Sequence, residues 1–419
     1  MIFIVGILSF IYLTFLAILA KKKGIISNIF IFTFFWCIIV FFSLFHFYEL
    51  YSISDYIYIL VDVGITFYFF GDYFGNKIKC KKYENLNPVN NIKEYVLFVA
   101  ICIILIKILV MLPTIISEGI GFSRYVALQN DGVHISNFFE IIELYFAKPY
   151  LRAYLIYFSI ETFYKKIKPK NILILFILVL ISYLEDGGRT VIINEIITII
   201  VIYIFIKITK NNFFQIKTTK YIKIIVFLIC GIAVFATLER GSEIFRSIYT
   251  YYCGSLVYFS ENISNINLYN GYLMGNCSLQ GFYRPIFGLL NIFNINDPIA
   301  LQEANNFILG IQNTVVYITP KDYMNYFITC FGVFYKDFGF FGEIICPFIY
   351  GFYGSIVDKK ILISPSNKKN MAIKILFVQG ALFSMTVFCF STFNYVMTYL
   401  YLVFIYSFVG RVKLSFYDN

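Results

Sequence analysis

The chain has 419 residues, of which 60% are hydrophobic and 14% charged, and its formal charge is +10. A mean hydropathy of +0.77 excludes a string of water-soluble domains, because a soluble fold needs polar residues to cover its surface whereas lipid accepts Ile, Leu and Phe. The basic excess marks a nucleic-acid partner only if it clusters on a soluble face, so its location along the chain has to be settled first.

A helix crossing a hydrocarbon core of about 30 Å needs around 20 mainly apolar residues. About eleven such runs, closed by Lys or Asn clusters, follow one another at 2–20, 27–46, 54–74, 95–113, 144–163, 171–185, 190–207, 221–238, 339–357, 371–391 and 393–410. The pattern predicts an all-α, polytopic integral membrane protein, with residues 1–419 forming a single transmembrane bundle. No basic residue precedes the first run, and Lys21, Lys22 and Lys23 follow it. That order is the reverse of a signal peptide and predicts a retained helix with its N-terminus outside.

From that start, segments 21–26, 75–94, 164–170, 207–223 and 358–374 and the tail from Arg411 share one side. They hold 24 of the 34 Lys and Arg residues. Cytoplasmic loops concentrate these residues, so that side, the C-terminus included, is predicted to be cytoplasmic. The cations read as orientation marks, the lipid bilayer is the first partner, and no nucleic acid is expected.

The outer side carries a smaller extracytoplasmic loop at 114–143 and a large one at 239–338, and function is expected there. The chain has no internal repeat, which disfavours a transporter built from duplicated halves. Asp62, Lys107 and Glu195 fall inside predicted spans, where facing lipid is costly, so they are expected to turn inward. The nine cysteines form no metal-binding pattern. Cys37, Cys102, Cys230 and Cys389 read as small hydrophobes, while Cys253, Cys277 and Cys330 share the large loop, where a Cys253–Cys277 bridge is one option.

Six of the nine outer cations are arginines: Arg124, Arg152, Arg189, Arg240, Arg246 and Arg284. A planar, permanently charged fork suits phosphate or carboxylate, so this placement points to an anionic ligand. Interfacial anchoring, or salt bridges with Glu140, Glu143, Glu239 or Glu243, is the competing explanation. In Glu185-Asp186-Gly187-Gly188-Arg189-Thr190 the glycines permit close backbone approach, and Arg189 stands where a helix N-terminus favours an anion such as pyrophosphate. A tight hairpin with Arg189 paired to Glu185 or Asp186 is the alternative.

Arg240 and Arg246 are six residues apart and converge only if the helix breaks at Gly241. Tyr335-Lys336-Asp337-Phe338-Gly339-Phe340-Phe341-Gly342 opens the ninth run, and Asp337 there reads either as a helix cap or as a catalytic acid. Glu239, Glu185 and His134 are further candidates for a general base. The loop tyrosines suit the membrane boundary, and some, Tyr252 and Tyr335 among them, are candidates for stacking on sugar rings.

A Gly-Gly-Arg-Thr turn between two spans comes first, followed by an arginine-bearing segment and a Tyr-Tyr-x-Gly stretch opening a large outer loop. A Tyr-x-Asp-Phe-Gly-x-x-Gly entry into the next helix completes the order. Over roughly 180–357 this resembles the bacterial oligosaccharide repeat-unit polymerases, the Wzy-type O-antigen and capsule polymerases. The resemblance implies a GT-C-like integral membrane glycosyltransferase without a cofactor or metal, in the bacterial plasma (inner) membrane. The implied activity transfers a growing glycan from an undecaprenyl-pyrophosphate carrier to the non-reducing end of a second lipid-linked repeat unit. A flippase and a chain-length regulator are the implied protein partners.

Arg189 matches the family's turn arginine, and Asp337, Phe338 and Gly339 match its Asp-Phe-Gly. Arg240 and Arg246 match in general placement, and Gly188 stands where the family often has serine. The expected site is therefore Asp337 and Glu239 for catalysis, Arg189, Arg240, Arg246 and Arg284 for the pyrophosphate, and Tyr252 and Tyr335 for glycan. An O-antigen ligase is the rival enzyme, although the segment 239–338 lacks the histidine usual there. A lipid-linked oligosaccharide flippase is the rival from another class.

Overall fold

The computed structural model describes residues 2–80, 92–118, 138–164, 168–186, 189–209, 244–268, 271–291, 297–325 and 327–407. They are mostly helical: α1 (Ile2–Lys21), α2 (Asn28–Ser43), α3 (Asp55–Lys77), α4 (Ile92–Glu118) and α5 (Phe138–Ile142) lead through a π turn (Glu143–Ala147) into α6 (Lys148–Tyr164). Then come α7 (Pro169–Asp186), α8 (Arg189–Thr209), α9 (Ile244–Leu268), α10 (Gln280–Asn291) and α11 (Ile299–Asn313). A short antiparallel hairpin, β1 (Val316–Tyr317) and β2 (Tyr323–Met324), precedes α12 (Thr329–Phe338), α13 (Gly342–Ile363), α14 (Lys368–Leu382) and α15 (Phe393–Ser407).

Four stretches, Ile4–Lys21, Asp55–Lys77, Thr190–Lys207 and Thr329–Ile363, are long and apolar enough to cross a membrane, which marks a membrane protein. The predicted run 221–238 lies outside the described residues.

The most extensive helix pairing is α3 against α13. It is a contact of backbone on backbone: a Cβ on Gly71 would lie 1.9 Å from the Phe348 carbonyl oxygen, and one on Gly351 would lie 2.2 Å from that of Tyr68. Small residues permit such an approach where lipid supplies no hydrophobic drive between helices. Helix α1 flanks this pair through Ser9 Oγ, which donates to Asp62 at 2.8 Å, and through the Tyr12–Thr66 hydroxyl pair at 2.6 Å. At the lysine-rich end, Asp358 accepts the Asn28 N–H and pairs with Lys374, while Lys23 pairs with Asp72.

A second group forms around α6, which packs on α4, α7, α8, α14 and α15. Helix α14 touches both groups, lying against α2 and α13 on one side and α6 and α8 on the other.

The run 371–391 is not one helix. Helix α14 stops at Leu382, and hydroxyl groups then turn the chain: Ser384 Oγ donates to Ala381 O, Thr386 Oγ1 to Phe383 O and Ser391 Oγ to Phe388 O. The freed backbone is satisfied by α12, whose Thr329 and Cys330 N–H groups donate to Thr386 O and Ser384 O. Trp36 adds its indole N–H to Ser384 Oγ at 3.0 Å. Irregular backbone inside the bundle is tolerated because protein encloses it.

The segment 239–338 is built largely of helices where it is described. Helix α9 lies along α2, and α12 is buried at every residue from 329 to 337. Tyrosines and small polar residues lower the hydropathy of these helices, which nevertheless pack inward. Among the described residues no disulfide forms; Cys253 and Cys277 are separate, buried thiols.

Candidate functional site

Glu185 and Asp186, at the end of α7, join a charged cluster with Lys107 midway along α4, Glu143 of the π turn and Lys148 at the start of α6. Lys107 on α4 bonds Glu143 in the π turn and lies 3.5 Å from Glu185. Lys148 on α6 lies 3.2 Å from Glu185 and 2.9 Å from Asp186. Glu185 is almost completely enclosed, with these two lysines as its ion-pair partners. The acids of the turn are thereby engaged by lysine.

One turn further along α6, on the same face as Lys148, stands Arg152. It is half-buried, its Nε is enclosed without a hydrogen-bond partner, and Asp186 is the charged group that acts on it. Helix α8 starts beside this cluster, with Arg189 as its first residue. The Arg189 side chain and the Gly187-Gly188 turn are outside the described residues. An arginine with an unused N–H, a neighbouring lysine and a helix N-terminus together form a setting for an anion with several oxygens.

Arg284 approaches from α10. A Cβ on Gly288, one turn beyond Arg284, would lie 2.0 Å from the Tyr145 hydroxyl, and Arg284 and Asp297 are the charges acting on that phenol. Tyr145, in the π turn that leads into α6, packs on Phe393 with the rings tilted by 55° and their centroids 4.5 Å apart. Helix α10 reaches this position because its start is held elsewhere, by Asp337.

Asp337 is fully buried, and its two oxygens accept the N–H groups of Cys277 at 2.9 Å and Ser278 at 2.7 Å. Its own carbonyl accepts the Met274 N–H at 2.9 Å, and Lys336 Nζ donates to the Gly271 carbonyl at 3.0 Å. Gly339 adopts φ +60 to end α12, with the Tyr272 ring packed where a side chain would go. Asp337 thus caps the entry to α10 across the fold. Burial beside this carboxylate pushes the Cys277 thiol well above its usual range, so it is an inert thiol.

The other sequence candidates lie apart. Arg246 forms a two-donor contact with Asp322, at 3.0 Å from Nε and 2.8 Å from an Nη, and ties the hairpin to α9. Tyr252 lines an apolar groove of about 450 Å³ between α2 and α9, against Phe35, Ile39 and Phe42. Tyr335 is buried edge-on to Tyr56 near α3, so the two tyrosines predicted to stack on glycan are in different places. Glu239, Arg240, Arg124 and His134 are outside the described residues.

Two residues escaped the sequence reading of the site. Arg152 was visible as a cation in an apolar run, but nothing in the sequence told its unsatisfied Nε from a salt-bridged one. Glu343, in the first turn of α13, is fully buried with neither carboxylate oxygen hydrogen-bonded, one of them against Gly64 of α3. An acid in a first helical turn looks like an ordinary dipole partner, so its enclosure carries no sequence signal.

Compared with known proteins, the chain matches no family model, no curated sequence and no solved structure.

Proposed function

We propose that the chain is an integral membrane glycosyltransferase that polymerises lipid-linked oligosaccharide repeat units for an O-antigen, capsule or exopolysaccharide. In this reading it has about eleven spans and a GT-C-like fold, lies in the bacterial plasma membrane, and has its N-terminus outside and C-terminus inside. The donor is an undecaprenyl-pyrophosphate-linked glycan, and the acceptor is the non-reducing sugar of a second lipid-linked unit. The observation that carries the reading is the Arg152 guanidinium, with an enclosed and unpartnered Nε beside Lys148 and the head of α8.

Breaking the bond between the anomeric carbon and pyrophosphate places negative charge on the leaving group. Donors already aimed at that charge lower the barrier without reorganising. Arg152 and Arg189 take this role from α6 and α8, and Arg284 from α10. Asp337 acts indirectly, by fixing the start of α10 and therefore where Arg284 stands.

Deleting the gene and analysing surface glycan with the lipid-linked intermediates separates the classes. A polymerase deletion leaves single repeat units at the surface, a ligase deletion leaves full-length polymer on undecaprenyl, and a flippase deletion strands units inside. Within the polymerase outcome, Arg152→Ala is expected to lower polymer synthesis by about 100-fold, the scale of losing one preorganised donor. Normal polymer yield from a stably inserted Arg152→Ala protein overturns the pyrophosphate site.

A further inference from the structure

Helices α6, α8 and α14 pack pairwise against one another inside the bundle. Where spanning helices usually present apolar side chains, these three bring buried polar ones: Ser159 and Thr162 from α6, Asn194, Glu195 and Thr198 from α8, and Gln379 from α14. Ser159 Oγ donates to Glu195 Oε1 at 2.5 Å. Gln379 Nε2 donates to the Asn194 carbonyl and to Thr198 Oγ1, both at 3.0 Å, and Thr198 Oγ1 donates to the Asn194 carbonyl at 2.9 Å.

These bonds leave two amide oxygens and one hydroxyl over. Thr162 Oγ1, Asn194 Oδ1 and Gln379 Oε1 are each enclosed without a hydrogen-bond partner. A low-dielectric interior penalises every such atom, and the same three packed helices also bury the Glu195 carboxylate, a combination that a cation relieves.

The composition of the junction selects the ion. Its candidate ligand atoms are oxygens, from one carboxylate, two amides and a hydroxyl, and suit a hard cation rather than a soft one. Glu195 is the one acid of the junction, so a single positive charge balances it, while a divalent ion would leave charge uncompensated in a dry site. A small number of neutral oxygens around one carboxylate suits the smaller of the common monovalent cations.

We infer that the α6–α8–α14 junction is a sodium-binding site, with Glu195 as its charged ligand and Asn194, Gln379 and Thr162 as neutral oxygen ligands. The site lies six residues along α8 from Arg189 and seven along α6 from Arg152, about 10 Å from the anion cluster at 1.5 Å per residue. Sodium here braces the two helices that carry those arginines. The inference does not depend on the reaction proposed for the chain.

The test is thermal unfolding of the purified full-length protein in detergent, at fixed pH and ionic strength, in sodium, potassium or choline chloride. The wild type is expected to show a saturable rise in Tm with sodium that exceeds the rise with either other cation. The rise is expected to vanish in Glu195→Gln and to weaken in Asn194→Ala. Thr162→Val, which removes one neutral ligand at near-constant volume, gives the same readout if Glu195→Gln does not fold. Equal Tm in the three salts overturns the inference, as does a sodium effect undiminished in the variants. Stability that follows pH but not sodium also overturns it, assigning the site to a proton.

Discussion

Asp337 and Glu343 are six residues apart and have opposite surroundings. The motif around Asp337 drew attention to it as an acid, yet its role depends on Cys277 and Ser278, about 60 residues earlier, whose N–H groups take both of its oxygens. Glu343 has the enclosure without the partners. A buried acid left unsatisfied costs stability whether or not it is ionised, so replacing it with an apolar side chain of similar size removes a penalty. Glu343→Met is expected to raise stability by about 1–3 kcal/mol, read as an increase in Tm of the purified protein. A fall in Tm would show that the carboxyl makes an interaction essential to the fold. The types of these residues could be read in the sequence, but their roles could not, because both are set by contacts distant in the chain.

At the level of the helices, several apolar runs were legible. Those at 2–20, 27–46, 54–74 and 190–207 correspond closely to α1, α2, α3 and α8. The break in 371–391 was not legible, since Ser384 and Thr386 are too few among Phe, Val and Met to lower the hydropathy of the window. Their effect comes from hydroxyl bonds to carbonyls and from the paired start of α12. The pairing of α3 with α13 was equally hidden, because glycine contributes nothing to an apolar pattern. Gly71→Leu is expected to abolish assembly, since even a Cβ at that site meets the Phe348 carbonyl. Val110→Leu, at an exposed position of α4, serves as the expression control. Detergent-extracted yield and monodispersity distinguish the two, and equal behaviour would refute the close contact.

Across the whole molecule, the lysine count that orients the chain understates what the lysines do. Lys374, counted in the segment 358–374, is almost completely buried and bonds both Asn28 and Asp358, joining α2, α13 and α14. Lys368 pairs with Glu161 at 2.6 Å and joins α14 to α6. A residue placed by the charge bias is here also a fastener between helices. Lys374→Leu alone is expected to cost about 3–5 kcal/mol, because it strands the Asp358 charge in an enclosed position. Asp358→Leu in the same protein should recover most of that loss, and a double-mutant cycle on Tm measures the recovery. Additive losses would mean that the two side chains do not act as a pair.

The backbone contact between α3 and α13 also sets a schedule for biosynthesis. Gly71 and Phe348 are 277 positions apart, so at 5–20 residues per second a ribosome needs roughly 15–55 s to supply the partner of α3. Throughout that interval α3 has inserted without the surface that fills its glycine notches, and Asp72 lacks the shelter of the finished bundle. The half-built protein therefore depends on early neighbours, α1 and α2, to hold α3 in place. It is also a natural client for whatever insertion machinery shields polar faces from lipid. A substitution that weakens α1 against α3 would then reduce the amount of protein made far more than it reduces the stability of the protein once complete.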